Sequence, residues 1–120
     1  MRLTVYTLAQ CSTSRAAVKW LAARGVKFVE KPIRETPPSV AELRTMLADE
    51  PGGLRRLFNS SGLEYRALGL AQKLPLMTEV EALSLLAGNG SLVKRPFVLG
   101  PGVALVGFDE QVWSAALGQA

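Results

Sequence analysis

Residues 2–30 carry a strand, a helix and a second strand in that order, and this order restricts the fold more than any other feature of the chain. Apolar and polar side chains alternate over residues 2–8, which predicts a strand. The helix that follows ends at Gly25, a residue type that suits a left-handed cap, and residues 26–30 form the second strand. Such a crossover is right-handed and joins parallel strands, so we expect these two strands to pair in parallel.

The middle of the chain is predicted to be helical. Two capping boxes, Ser39 with Glu42 and Thr78 with Glu81, predict the starts of two helices. Apolar residues at helical spacing within and between them are Leu43, Met46, Leu47, Leu54, Leu57, Phe58, Tyr65, Leu68, Leu70, Ala82, Leu83 and Leu86. We read Tyr65, Leu68 and Leu70 as one short helical piece.

The last quarter of the chain returns to strand signals. Residues 97–99 and 103–106 flank Gly100-Pro101-Gly102, which is a hairpin signal. A last helix begins near Asp109, and its predicted inner side carries Val112, Trp113, Ala116 and Leu117. The element order is therefore β-α-β, a helical block, then β-β-α.

The chain is long enough to form one domain. With 120 residues, of which 48% are hydrophobic and 20% charged, it can bury a core without a metal or a disulfide. Because the helical block interrupts the β units, we expect a single domain over residues 1–120, with a helical insertion over residues 38–92.

One cysteine and no histidine exclude several kinds of chemistry. An internal disulfide and an internal resolving thiol are impossible, and Ser-His-Asp and Cys-His schemes have no base. With one Cys and no His, we expect no metal site.

Basic residues concentrate in residues 1–34, about the first third of the chain, where Glu30 is the one acidic residue. The basic residues of this segment are Arg2, Arg15, Lys19, Arg24, Lys27, Lys31 and Arg34. Such a segment attracts an anion or an acidic protein, or it is simply a solvated face. No aromatic residues line it as a groove, so we expect no direct binding to nucleic acid.

The chain has no apolar run of about 20 residues and no signal-like start, so we expect a cytoplasmic protein that does not enter membranes.

Cys11 is the first candidate for chemistry. It lies between the first strand and the first helix, where free backbone N–H groups and the helix dipole favour an anion and lower the pKa of a thiol. Ser12, Thr13 and Ser14 make the turn polar, and Arg15 adds a positive charge one turn along. The alternative is an inert, buried cysteine.

The second candidate is Lys94-Arg95-Pro96, directly before the hairpin. A proline there suits a strand start or a cis turn that faces a site. Arg95 would then reach an anion beside Cys11. The alternative is a pair of solvated basic residues at the start of a strand.

Four motifs in the same order and at similar spacing resemble the ArsC/Spx/YffB family: residues 3–6, the turn of residues 11–15, the stretch 65–71, and 94–96 followed by a hairpin that ends at 106–108. The resemblance covers nearly the whole chain. It implies a thioredoxin-like fold of the glutaredoxin type, with a mixed sheet and an all-helical insertion.

The resemblance also implies roles for these residues. Cys11 would be the nucleophilic thiolate, Arg95 the arginine that binds an oxyanion, and Pro96 a cis-proline. Ser14 stands where the redox-switch regulators of the family have a second cysteine. The arsenate reductases also have a serine there and use an external thiol such as glutathione to resolve the intermediate.

Two departures from the family pattern bear on the substrate. The arsenate reductases carry two further arginines, in places where this chain has Asn59-Ser60-Ser61 and Gly107-Phe108. A dianion held by one arginine loses charge-assisted hydrogen bonds of roughly 1.5–3 kcal/mol each. We therefore expect a thiol reductase that uses glutathione or glutaredoxin and acts on a small oxyanion or a mixed disulfide. The alternative is an Spx-like adaptor that binds the RNA polymerase alpha subunit.

Overall fold

The computed structural model describes residues 2–118; Met1, Gln119 and Ala120, which the predicted domain 1–120 includes, lie outside the described residues. The elements in chain order are β1 Leu3–Thr7, α1 Ser12–Ala23, β2 Phe28–Pro32, α2 Val40–Asp49, α3 Leu63–Ala67, α4 Leu70–Lys73, α5 Glu79–Gly88, β3 Phe97–Gly100, β4 Val103–Val106 and α6 Glu110–Leu117. Short 3-10 turns lie at Leu54–Leu57, Leu74–Leu76 and Gly90–Leu92. The predicted order of β-α-β, helical insertion and β-β-α is confirmed. Within residues 2–118, no helix combines the length and the apolar character that crossing a membrane would require.

The contacts of the chain divide it into two compact units. The first unit runs up to Pro32 and resumes from Arg95 onward, and the second unit is Ile33–Lys94. All four strands lie in the first unit, together with α1 and α6, whereas α2 to α5 lie in the second. The predicted insertion, residues 38–92, falls inside the second unit.

The sheet of the first unit has the strand order β2-β1-β3-β4. Strand β1 pairs in parallel with β2, as the crossover predicts, and antiparallel with β3, which pairs antiparallel with β4. In the β1–β3 ladder Tyr6 lies opposite Phe97. Because the strands are antiparallel, residues just before Phe97 lie beside residues just after Tyr6, and this register builds the candidate site.

Strand β2 begins at Phe28, two residues later than the sequence predicts. Gly25 adopts the expected left-handed conformation at φ 70°. The N–H of Val26 then donates to the carbonyl of Leu21 at 3.1 Å, so it closes the end of α1 and does not extend the sheet.

The core of the first unit is one apolar cluster, built from Leu3, Val5, Ala17, Leu21, Val98, Val103, Leu105 and Trp113. The predicted inner side of α6 is wrong at two positions: Val112 is 53% exposed and Ala116 is also exposed. The rotation of the helix is set by Trp113, whose ring is buried and whose Nε1 donates to the Gly107 carbonyl at 3.1 Å. Leu117, one turn later, packs against the same cluster.

In the second unit both predicted capping boxes are present, Ser39 with Glu42 and Thr78 with Glu81. The single helical piece predicted around Tyr65 is wrong, since Gly69 at φ 65° separates α3 from α4. Leu68, before that break, is 40% exposed and does not join the buried face.

Gly90 marks a close approach within the second unit and gives the first testable prediction. A Cβ atom at Gly90 would collide with the carbonyl of Ile33, whereas one at Gly88 would meet nothing within 4 Å. We expect Gly90→Ala to lower the free energy of unfolding by about 1–3 kcal/mol, the usual cost of overpacking. Gly88→Ala, near the end of α5, is the matched control and should cost nothing. Urea midpoints measure both variants, and equal midpoints would contradict the packing described here.

Candidate active site

Cys11 is the last residue before α1, with extended backbone at φ −85° and ψ 118°. Its N–H donates to the Leu8 carbonyl at 2.9 Å, and its own carbonyl accepts from the Arg15 N–H at 3.1 Å. The side chain is half-buried, and the first-turn N–H groups lie near its sulfur without the alignment of a full capping hydrogen bond. The sulfur therefore sits at the start of a 12-residue helix whose first turn holds no acidic residue.

Ser14 supports the sulfur from the first turn of α1 and is 1% exposed. Its Oγ accepts a hydrogen bond from the Leu8 N–H at 3.3 Å. A hydroxyl has one proton to donate, and with Leu8 on its acceptor side that proton is available to the Cys11 sulfur. The buried serine thus connects the end of β1 to the sulfur.

The pKa of Cys11 lies below its ordinary value. Partial burial of the sulfur raises the pKa. Four groups lower it, and together they outweigh the effect of burial: the backbone N–H and the hydroxyl of Ser14, the N–H of Thr13 and the positive charge of Arg95. These groups favour the thiolate, which is the nucleophilic form of cysteine. The surroundings of Cys11 thus favour a thiolate, and its role as nucleophile stays a prediction.

Arg95 reaches the Cys11 turn because of the strand register. It lies two residues before Phe97, which pairs with Tyr6, so it falls beside the residues that follow β1. The Arg95–Pro96 peptide bond is cis, as the resemblance implies, and the Pro96 carbonyl accepts from the Gly107 N–H at 2.9 Å. Arg95 is half-buried, and its charge acts on the Cys11 sulfur.

The other predicted residues of the turn have different surroundings. Ser12 and Thr13 are exposed, and of these two it is Thr13 whose N–H acts on the sulfur. Arg15 turns back, so that its Nη1 donates to the Ala9 carbonyl at 3.0 Å. Arg95 is therefore the cation whose charge lowers the pKa of Cys11.

One pair near the turn was not predicted from the sequence. Thr7, the last residue of β1, is 4% exposed, and its Oγ1 donates to Glu30 Oε2 at 2.6 Å. Two signals pointed to it: Glu30 is the one acidic residue in a basic segment, and Thr7 ends the strand that leads to Cys11. Within residues 2–118, no three side chains of His, Cys, Asp or Glu gather as a metal site.

The two segments that lack the family arginines have other structural roles. Gly107 links Pro96 to Trp113 through its N–H and its carbonyl, and the Phe108 ring stacks edge-on against Trp113 at 4.8 Å. Aromatic packing thus occupies this position.

The second segment lies in the helical unit. Ser60 lines a cleft of about 350 Å³ together with Arg55, Arg56 and Lys94. The isolated bridge between Phe58 and Val93, and the bond from the Lys94 N–H to the Leu57 carbonyl at 2.8 Å, hold Lys94 at this cleft. Lys94 therefore belongs to a basic cleft of the second unit, a grouping that the sequence analysis missed.

The chain matches the model of the ArsC family over residues 6–116. The uncharacterized protein YusI of Bacillus subtilis is 43% identical over 110 residues, which are 92% of this chain and 93% of that protein. A crystal structure of an ArsC family related protein from Bacteroides fragilis superposes with a TM-score of 0.90 at 37% identity, covering 97% of this chain and 98% of that one.

The relatives include proteins with named activities of two different kinds. An arsenate reductase of Rhizobium meliloti is 30% identical over 101 residues, 84% of this chain and 71% of that protein. The global transcriptional regulator Spx of Enterococcus faecalis is 28% identical over 109 residues, 90% of this chain and 80% of that protein.

The different surroundings of Arg95 and Arg15 give a prediction. Arg95→Met removes the charge that favours the thiolate, so the pKa of Cys11 rises and alkylation at neutral pH slows. Arg15→Met is the matched control and should leave the pH profile in place, since its guanidinium lies on the Ala9 carbonyl. The rate of iodoacetamide alkylation against pH measures both variants. A profile that moves with Arg15→Met and stays with Arg95→Met would contradict the assignment.

Proposed function

The chain belongs to the ArsC family, and from this membership we propose that it is a thiol oxidoreductase with Cys11 as its nucleophile and glutathione or glutaredoxin as its reductant. The observation that carries the proposal is the position of Cys11 at the start of α1, beside the buried Ser14 hydroxyl and at the turn to which the β1–β3 register brings Arg95. These groups lower the pKa of Cys11. A thiolate that must stay reduced between turnovers suits a reducing compartment, so we place the reaction in the cytoplasm.

The reaction on a mixed disulfide has two exchanges. The Cys11 thiolate attacks one sulfur, a new S–S bond forms, and the old S–S bond breaks to release the other sulfur as a thiolate. A second, external thiolate then attacks the Cys11 mixed disulfide and restores Cys11. The external thiol is required because the sequence has one cysteine and hence no internal resolving partner. The positive charge of Arg95 stabilises the Cys11 thiolate, which attacks in the first exchange and is the leaving group in the second.

We propose a mixed disulfide rather than arsenate as the main substrate. The exchange needs one sulfur anion at a time, and the cation acting on Cys11 is Arg95. A tetrahedral dianion calls for several guanidinium groups, and Gly107 and Phe108 serve packing where the resemblance places one of them. Arsenate is the second substrate to test, because the relatives include arsenate reductases.

Turnover of a glutathione mixed disulfide, with glutathione as reductant, tests the proposal. Cys11→Ser should lower the rate to that of the uncatalysed exchange. A matched control moves the thiol: Cys11→Ser combined with Ser84→Cys places one cysteine on the exposed face of α5, away from a helix start. That variant should be equally inactive.

Two results would overturn the proposal. A double variant as active as the natural chain would show that any exposed thiol suffices. A Cys11→Ser variant with full activity would remove the nucleophile. Arsenite release from arsenate, dependent on both glutathione and Cys11, would instead place arsenate among the substrates.

A second function is favoured by the match to Spx regulators over 90% of the chain. We propose, as the alternative, an adaptor that docks its basic first third on the RNA polymerase alpha subunit. Ser14 in place of a second cysteine removes a disulfide switch but leaves docking intact. A pull-down with the C-terminal domain of the alpha subunit at low salt distinguishes the two functions. Capture that survives Cys11→Ser supports the adaptor, and no capture excludes it.

A further inference from the structure

A cleft of about 220 Å³ lies beside the Cys11 turn, within the first unit. Its apolar lining includes Leu8 and Val18, and its polar lining consists of Ser14, Arg15, Lys19 and Glu30. Pockets that enclose a whole drug-sized ligand measure roughly 300–1,000 Å³. The cleft therefore suits one part of a ligand whose remainder lies outside it.

Ser14 connects this cleft to the reactive sulfur. It lines the cleft, and its hydroxyl and N–H also act on Cys11. The cleft and the sulfur therefore share Ser14 as a neighbour, and a molecule with one end in the cleft lies next to residues of the Cys11 turn. Such an arrangement suits the non-reacting end of a thiol or disulfide.

The cleft is lined by charges of both signs, the positive ones on α1 and the negative one on β2. Arg15 and Lys19 are four residues apart on α1 and so lie on one face of the helix. Arg15 is anchored by the bond from its Nη1 to the Ala9 carbonyl, which leaves further guanidinium N–H groups as donors.

Glu30 supplies the negative charge from β2. Its Oε2 accepts from the buried Thr7 at 2.6 Å, a bond that holds the carboxylate in place in the lining of the cleft. The lining of the cleft thus combines two cations from a helix, one anchored carboxylate from a strand, and apolar side chains.

We propose that this cleft binds the zwitterionic amino-acid end of the thiol co-substrate, such as the γ-glutamyl end of glutathione. The α-carboxylate pairs with Lys19 and Arg15, the α-ammonium pairs with Glu30, and the methylene groups lie on Leu8 and Val18. This inference rests on the proposed function and deepens it, because it says which part of the thiol the protein recognises.

A stoichiometric exchange tests the inference without any assumption about the natural substrate. The reduced protein reacts with oxidised glutathione, so that the Cys11 thiolate forms a mixed disulfide and one glutathione thiolate leaves. Bis(2-hydroxyethyl) disulfide undergoes the same exchange but has neither carboxylate nor ammonium. Mass spectrometry follows the modified protein, and the dependence of rate on disulfide concentration gives an apparent dissociation constant for each disulfide.

We expect Lys19→Met to weaken binding of oxidised glutathione by about 3–10-fold. A loss of up to tenfold is about 1.4 kcal/mol, which fits the removal of one charge-assisted contact at an exposed site. Glu30→Gln should weaken it about 3-fold, and glutamine keeps an acceptor for Thr7. Neither variant should change the reaction with bis(2-hydroxyethyl) disulfide. Lys27→Met, an exposed lysine of the same unit outside the cleft, is the matched control and should leave both reactions unchanged.

Three other outcomes are informative. If Lys19→Met slows both disulfides equally, or slows neither, the subsite is overturned while the thiol chemistry stands. If Lys27→Met has the same effect as Lys19→Met, general charge attraction replaces the subsite. If Cys11 reacts with neither disulfide faster than it does in the urea-unfolded chain, the proposed function itself fails.

Discussion

The surroundings of the Cys11 sulfur depend on the bond between the Leu8 N–H and the buried Ser14 hydroxyl. A buried hydroxyl without partners costs about 1–3 kcal/mol, so this bond is needed to keep Ser14 inside. It fixes the first turn of α1 against the end of β1 and leaves the hydroxyl proton for Cys11. The thiolate is stabilised because the Thr13 and Ser14 amides and this proton are already in place.

The sheet brings one positive charge, that of Arg95, to the Cys11 turn. The β1–β3 register brings Arg95 to the Cys11 turn, whereas Gly107 and Phe108 are committed to packing around Trp113. One cation beside one sulfur suits a reaction that passes through a single sulfur anion. For this reason we place disulfide exchange ahead of the reduction of a tetrahedral dianion, although arsenate reductases are among the relatives.

The sequence predicted what local patterns encode. Capping boxes at Ser39 and Thr78, the left-handed Gly25 and the position of Cys11 before α1 all follow from short motifs, and all are present. The errors have physical reasons that lie outside such motifs. The rotation of α6 is set by a bond from the Trp113 indole, and the direction of Arg15 by a backbone carbonyl. Neither contact can be predicted from helical spacing or from charge alone.

A pH titration of the Cys11 thiolate, followed by its ultraviolet absorbance, measures whether the fold lowers the pKa of this thiol. The chain has one cysteine, so the signal belongs to one residue. We expect the midpoint of the folded protein to lie below that of the same chain unfolded in urea, because the amides of α1, the Ser14 hydroxyl and Arg95 act only in the folded state. A folded midpoint equal to or above the unfolded one would contradict this expectation.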